Sequence, residues 1–383
     1  MQVIQATFGT FYLFHLAREL KSRGYLKHIY STYPWRRLRR EGLPHDFVST
    51  FPWAHTTQIL AGRYLRVPKG VDRAMGGLIA ASFDEWLCRR ISACDAYVAL
   101  SSAGLKSGKR AQELGAKYVC DRGSSHARYQ HQLMDEEYRR WNVPAPKAKD
   151  FAREEGEYEN ADAITVLSEF ARRSFVECGV PPEKLHKVML GVELDAFHPK
   201  GEPPADSFEV LFVGMASFRK GIPYLLEGFR RLRHPRKRLR IVGFVPQEIK
   251  PYLKTVDLSG VEICGARRQS QLAEIMSQSH VMVLPSIEDG FGMVLSEAMA
   301  CGCPVISSTN TGGPDLYSDG NEGFIVPVRS PEAIASALQQ VADDPALRQR
   351  MSEASLRTAR SLGGWGQYGE SYINLLKSLC GRA

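Results

Sequence analysis

Apolar residues fall into short runs separated by longer stretches of mixed polarity. Residues 3–6, 96–100, 117–120, 163–167 and 187–190 have the length and apolar content of buried strands in a parallel sheet. After the first run, Thr7-Phe8-Gly9-Thr10 reads as a loop, and Leu13, Leu16, Ala17 and Leu20 then recur at helical spacing. This alternation predicts a βα-repeat domain with a parallel sheet. The pattern returns further on: residues 209–213, 239–242, 261–264, 281–284, 305–307 and 323–326 predict a second parallel sheet. Between the two sets, Pro199-Lys-Gly-Glu-Pro-Pro-Ala-Asp206 has the composition of a linker. Residues 332–338 and 345–362 read as helices and Gly363-Gly364 as a break. The segment 365–379 then carries Tyr368, Tyr372, Ile373, Leu375 and Leu376 as an amphipathic helix.

The totals narrow the class. A chain of 383 residues suffices for two domains, each with its own core. At 44% apolar and 24% charged residues the composition is that of a folded globular protein. No apolar run reaches the length of about 18 needed for a membrane-spanning helix. The apolar stretch 11–16 is interrupted by His15 and followed by Arg18, so no signal peptide and a cytoplasmic location are expected. Eight cysteines, at 88, 94, 120, 178, 264, 301, 303 and 380, show no Cys-x2-Cys spacing and read as reduced thiols; Cys301-Gly-Cys303 lacks the second ligand pair that a metal site needs.

Net charge is +8, and much of the excess is local: Arg18, Lys21, Arg23, Lys27, Arg36, Arg37, Arg39 and Arg40 face only Glu19 between positions 18 and 40. With Tyr33, Trp35 and Leu38 interleaved, this segment suits peripheral contact with the anionic inner face of a membrane. A solubilising surface fits the same residues equally well. Nucleic acid is not expected as a partner, because no nucleic-acid module accompanies the charge.

Candidate chemistry concentrates after residues 281–284, in Pro-Ser-Ile-Glu-Asp-Gly-Phe-Gly-Met-Val-Leu-Ser-Glu-Ala-Met-Ala-Cys-Gly-Cys-Pro, residues 285–304. Strand, glycine-rich turn and helix in this order bring free backbone N–H groups and a helix N-terminus to the carboxyl edge of a sheet, where α/β proteins bind charged ligands. Gly290 and Gly292 would allow a ligand close to the backbone. Glu288, Asp289 and Glu297 add carboxylates that accept hydrogen bonds from sugar or ribose hydroxyls. Taken singly, an Asp before a helix is an ordinary cap and a Glu within one an ordinary solvated side chain; the combination points to a sugar nucleotide. Upstream, the run 209–213 leads into Gly214-Met-Ala-Ser-Phe-Arg219-Lys220-Gly221. Two cations at a helix start are disfavoured by the dipole, which argues for an anionic partner such as a diphosphate. In the first domain, Gly9 occupies the first strand-to-helix turn and His126 follows the run 117–120, both at positions that face a cleft. His131 competes with His126, and a lone His is more often structural.

The spacing Asp289-x7-Glu297 within this sequence resembles the Glu-x7-Glu signature of retaining glycosyltransferases of family 4. The family's first acid is usually Glu, so Glu288 and Asp289 are both candidates for contact with the sugar. Lys220-Gly221 matches the family's Lys-Gly pair, while its usual Arg is Met215 here, with Arg219 nearby to supply the charge. Thr311-Gly312-Gly313-Pro314-Asp315 resembles the family's Gly-Gly turn, with Asp315 in place of the usual Glu. The resemblance covers nearly the whole second domain and the first in pieces.

It implies an α/β fold of GT-B type: two doubly wound Rossmann-like parallel-sheet domains facing across a cleft. The divisions would be an acceptor-side domain 1–198, a linker 199–207, a nucleotide-sugar domain 208–362 and a helix 363–383 crossing back to the first domain. The implied reaction is sugar transfer from a UDP- or GDP-linked donor to an acceptor hydroxyl with retention, the acceptor being a glycan or lipid-linked glycan in polysaccharide or cell-envelope synthesis. Lys220, Arg219 and the amides of Phe291, Gly292 and Met293 would hold the diphosphate, with Gly214, Gly290 and Gly9 lining the donor site. Asp289 would orient sugar hydroxyls, Glu297 the ribose, and His126 the sugar from the opposite wall. The chain contains no Asp-x-Asp, so neither a catalytic metal nor another cofactor is expected. Two other readings share the fold: a nucleotide-sugar-binding protein without transferase activity, and a sugar-nucleotide epimerase.

Overall fold

The computed structural model describes residues 1–53, 69–144 and 151–381; the last two positions of the expected C-terminal segment lie outside these. Seven strands form the first sheet: β1 (Val3–Thr7), β2 (Leu26–Ser31), β3 (Val48–Thr50), β4 (Ala96–Leu100), β5 (Lys117–Arg122), β6 (Ala163–Val166) and β7 (Leu185–Lys187). Their order is β3-β2-β1-β4-β5-β6-β7, with every pairing parallel. β1, β4 and β6 are buried along their whole length, because helices cover both faces of a parallel sheet.

β2 and β3 carry no continuous apolar run, and the hydrophobic pattern missed them. Lys27 and His28 interrupt β2, and β3 is a three-residue edge strand. β7 begins two residues before the expected run at 187–190. Val188 N–H still bonds Val166 (2.9 Å), and Val188 and Leu190 are buried in the core although the ladder has ended.

The second sheet contains β8 (Phe208–Val213), β9 (Lys237–Val242), β10 (Val261–Gly265), β11 (Val281–Leu284), β12 (Val305–Ser308) and β13 (Gly323–Val326), ordered β10-β9-β8-β11-β12-β13 and again parallel. In each sheet the connections diverge between two neighbours, β1 and β4 in the first and β8 and β11 in the second. That topology opens a crevice at the carboxyl ends of those strands.

The chain crosses between domains twice, and the crossings touch. A side chain at Gly191 would overlap the Gly364 carbonyl, so the outgoing and returning segments pass at backbone distance. Beyond Gly364, the helix Trp365–Leu379 packs on the first-domain helix Leu13–Ser22, with Trp365 stacked on His15 at 3.6 Å between ring centroids. Asp121 anchors this return from inside the first sheet. Its buried carboxylate accepts hydrogen bonds from Tyr12, from Thr165 (2.9 Å) and from Tyr372 of the terminal helix (3.1 Å). Burial pushes its pKa up to about 6, against the pull of the three hydroxyls.

The first-domain helix Ala127–Arg140 also meets the second domain. Tyr138 and Trp141 pack against Phe218, Tyr224 and Tyr252. Glu137, fully buried, accepts from Tyr224 Oη (2.9 Å), Trp141 Nε1 (2.7 Å) and Arg329 Nε (2.8 Å). Arg329 reaches this carboxylate from a backbone φ of +60°, a conformation that costs a non-glycine residue about 1 kcal/mol or more.

Candidate active site

β8 and β11 lie side by side, Val210 opposite Val281, and release their chains at the same edge of the second sheet. The loop after β8 is held to β9 through Gly214 N–H to Val242 (2.9 Å) and Ala216 N–H to Phe244 (2.9 Å). It is zipped to the loop after β11 by Ile287 N–H to the Arg219 carbonyl (2.8 Å). Gly221 has φ +70°, and a Cβ there would overlap the Pro285 carbonyl, so glycine is what lets the two loops meet. Two adjacent cations therefore face two adjacent acids: Arg219 Nε donates to Glu288 Oε2 at 2.7 Å, and Lys220 Nζ pairs with the Asp289 carboxylate. The acids offset the cost of placing two cations at the start of the helix Ile222–Arg231.

The two pairs differ in surroundings. Glu288 is fully buried and takes four donors: Arg219 Nε, Gln130 Nε2 (2.7 Å), Ser125 Oγ (2.7 Å) and Ser125 N–H (3.1 Å). Burial alone would raise its pKa, but the Arg219 charge and the three further donors hold it at about 2. With both oxygens occupied and no exposed surface, Glu288 has no face for a sugar. Of the two acids that were candidates for the sugar, Glu288 is the enclosed one. Breaking a buried pair of this kind by removing one partner costs about 3–5 kcal/mol. The Lys220–Asp289 pair keeps some access to solvent, at 18% and 13% side-chain exposure, and of the two acids only Asp289 is open to a ligand.

Gly292, at φ +79°, turns the chain into the helix Met293–Ala300. Among the described residues the amides of Gly292, Met293 and Val294 donate to no protein group, which leaves an anion-binding helix start beside Lys220 and Asp289. Phe291 contributes backbone only: its side chain is buried, and its carbonyl accepts Gly312 N–H (2.8 Å). One turn into the helix, the half-buried Glu297 carboxyl meets no hydrogen-bond or ionic partner among the described residues, and burial pushes its pKa up to about 7.

The opposite wall is the first-domain turn after β5. A Cβ on Gly290 would overlap the Gly123 carbonyl and come within 2.5 Å of Ser124 Cα, while the Gly290 carbonyl accepts Ser168 Oγ (2.7 Å). The close approach of the other domain is enough to require glycine at Gly290.

His126 is turned away from this edge. Its ring lies within the first domain, 5.0 Å from both Tyr158 and Phe175, and its Nδ1 caps the following helix by accepting Arg128 N–H (3.2 Å). Burial lowers its pKa to about 4, so the ring is neutral at pH 7 with the proton on Nε2. The residues that meet the second domain are its neighbours Gly123 to Ser125. Gly9 is likewise turned inward, with the Tyr33 ring 3.0 Å from where its Cβ would lie. Gly214 stays half-exposed at the sheet edge with Met215 beside it, 51% exposed. Asp315, in the first turn of its own helix, accepts Glu169 N–H (2.9 Å) and Lys187 Nζ (2.6 Å) from the first domain.

The structure thus brings together Arg219, Lys220, Glu288, Asp289, Gly292, Met293 and Glu297 on one edge and leaves His126 and Gly9 outside. Sequence reasoning missed Ser125, Gln130, Glu137 and Arg329. The contacts Ser125–Glu288, Gln130–Glu288 and Glu137–Arg329 span 158 to 192 positions, and no local pattern marks them.

Residues 195–358, nearly all of the second domain, match the family described as Glycosyl transferases group 1. The whole architecture is that of sucrose-phosphate synthase from Thermosynechococcus elongatus, at TM-score 0.73 and 20% identity with both chains covered completely. HepE of Anabaena, solved in complex with UDP, superposes with TM-score 0.72 and 14% identity over 99% of this chain and 100% of that one. The fold is therefore GT-B, two parallel-sheet α/β domains facing each other. In sequence, WcaL of Salmonella typhimurium, a glycosyltransferase assigned to colanic acid biosynthesis, is 28% identical over 195 residues, 48% of each chain. The chain spans about half the length of such relatives.

Glu297 gives a pH test. Its folded pKa of about 7 lies above the ordinary 4.5, so the folded protein binds this proton more tightly than the unfolded chain does. The resulting stability is present below about pH 4.5 and is lost as pH rises through about 7. Glu297→Gln should therefore gain on the wild type in thermal melts between pH 5 and pH 8; a constant difference would contradict an uncompensated carboxyl.

Proposed function

We propose that the protein is a retaining glycosyltransferase that moves a sugar from a nucleoside diphosphate donor to an acceptor hydroxyl in polysaccharide or cell-envelope glycoconjugate synthesis. The observation that carries this is the Lys220–Asp289 pair set beside unpaired amides at the start of the helix Met293–Ala300, on the edge that faces the first domain. Lys220, the free nitrogens of Arg219 and the amides of Gly292 and Met293 stabilise the charge that grows on the diphosphate as the sugar–oxygen bond breaks. Asp289 accepts hydroxyls of the sugar, and the unpartnered Glu297 accepts those of the ribose. Attack comes from the face the diphosphate leaves, and a donor phosphate oxygen takes the acceptor's proton, so no protein nucleophile and no metal are required. The likeness to WcaL supports a polysaccharide setting, and the UDP complex of HepE supports a nucleotide-sugar donor.

The acceptor is proposed to be a glycan or a lipid-linked glycan met at a membrane surface. No described helix is long and apolar enough to cross a membrane. The sheet order β3-β2-β1 places three loops together at one edge, and they carry exposed Phe11 (60%), exposed Arg36, Arg37, Arg39 and Arg40, and exposed Trp53 (79%). Aromatic residues among cations suit an anionic lipid surface.

Release of nucleoside diphosphate from UDP- and GDP-sugars, with and without glycan acceptors, tests the proposal. Acceptor-dependent release supports transfer; conversion of the sugar without acceptor would mean an epimerase, and binding without release a non-catalytic protein. Lys220→Ala should lower kcat by about 10²–10³-fold, the usual cost of losing one such charge-stabilising donor, with the fold intact by circular dichroism. Full activity would make Lys220 a bystander. Replacing Arg36, Arg37, Arg39 and Arg40 by Gln should abolish co-sedimentation with phosphatidylglycerol vesicles, and unchanged sedimentation would leave the patch a solubilising surface.

A further inference from the structure

Glu288 belongs to the second domain, yet three of its four donors come from the first. One oxygen, Oε1, receives both donors of Ser125 at the turn facing Gly290; the other, Oε2, is shared by Gln130 of the first domain and Arg219 of the cation pair. Arg219 spends only Nε on this bond. Its two terminal nitrogens have no partner among the described residues, and its side chain is 38% exposed, so a phosphate can be taken there without displacing Glu288.

The other carboxylates that tie the domains together do not reach the cation pair. Glu137 is held by Tyr224, Trp141 and Arg329, and Asp315 by Lys187 and Glu169. Glu288 alone among the described carboxylates touches both the cation pair and the first-domain turn. Separating the domains would strip it of its Ser125 and Gln130 donors and leave it with Arg219 alone.

We propose that Glu288 is a positioning residue that couples the two domains to the phosphate-binding cations: it fixes the guanidinium of Arg219 toward the cleft and, with the same carboxylate, holds the turn 123–125 over it. Charge-assisted hydrogen bonds of this kind are about twice as strong as neutral ones, so loss of the charge weakens both halves together. The coupling to phosphate rests on the glycosyl-transfer reading; the coupling of the domains does not.

The test is Glu288→Gln, which keeps the shape but removes the charge and offers an amide nitrogen that cannot accept from Arg219 or Gln130. Small-angle scattering without any ligand should give a larger radius of gyration for the variant than for the wild type. UDP and GDP are then titrated as probes. For whichever binds the wild type, Kd should change by less than about threefold while kcat at saturating donor falls by about tenfold or more, the pattern of a lost closed geometry.

The double variant Ser125→Ala/Gln130→Ala removes the first-domain donors without touching Arg219. It should expand in the same way, and it carries the test if Glu288→Gln does not fold. Variants as compact as the wild type would overturn the proposal. Unchanged compactness with a tenfold weaker Kd would overturn it too and make Glu288 a direct ligand contact. If the variants expand but the wild type transfers no sugar, the functional reading fails and the coupling stands.

Discussion

Two cations just ahead of a helix start are disfavoured by its dipole, and the second domain meets that cost with two acids from the neighbouring loop. The arrangement is possible only because β8 and β11 are adjacent at the point where the sheet reverses, and because Gly221 lets the backbones meet. Once the loops are joined, the acids divide. Asp289 stays at the accessible side with Lys220, while Glu288 is enclosed with Arg219 and must find further donors. It finds three of them in the other domain, so this strand-to-helix turn is also a contact between the domains.

The remaining contacts between domains obey the same rule, since a carboxylate enclosed at an interface is tolerable only with several donors. Glu137 has three and Asp315 two. Aromatic packing of Tyr138 and Trp141 on Phe218, next to Arg219 in sequence, buttresses the cation loop from behind. Glu297 is the exception. It is half-buried, ionisable and without a partner among the described residues, a state that costs stability at neutral pH and that a hydroxyl-bearing ligand would relieve.

Much of this was legible in the chain. Parallel strands covered on both faces appear as apolar runs, so β1, β4, β5, β6, β8, β11 and β12 could be read directly, whereas β2, interrupted at Lys27 and His28, could not. The loops at 219–221 and 288–297 were legible because charge, glycine and helix start lie within a few positions of one another. What failed was orientation. That His126 follows β5 is visible in sequence; that its ring turns toward Tyr158 and Phe175 depends on helices that arrive later in the chain. Nor does the sequence show that Ser125 and Gly123 of the other domain come against Glu288 and Gly290.

The central claim is that the edge formed by Lys220, Arg219 and the amides of the helix Met293–Ala300 binds a nucleoside diphosphate. A thermal-shift comparison of UDP, GDP and ADP, each beside its free nucleoside, tests it most directly, because a ligand at a hundred times its Kd adds about 2.7 kcal/mol to the folded state. The account predicts that at least one diphosphate raises the melting temperature while its nucleoside does not. Melting temperatures unmoved by every diphosphate at millimolar concentration would contradict it.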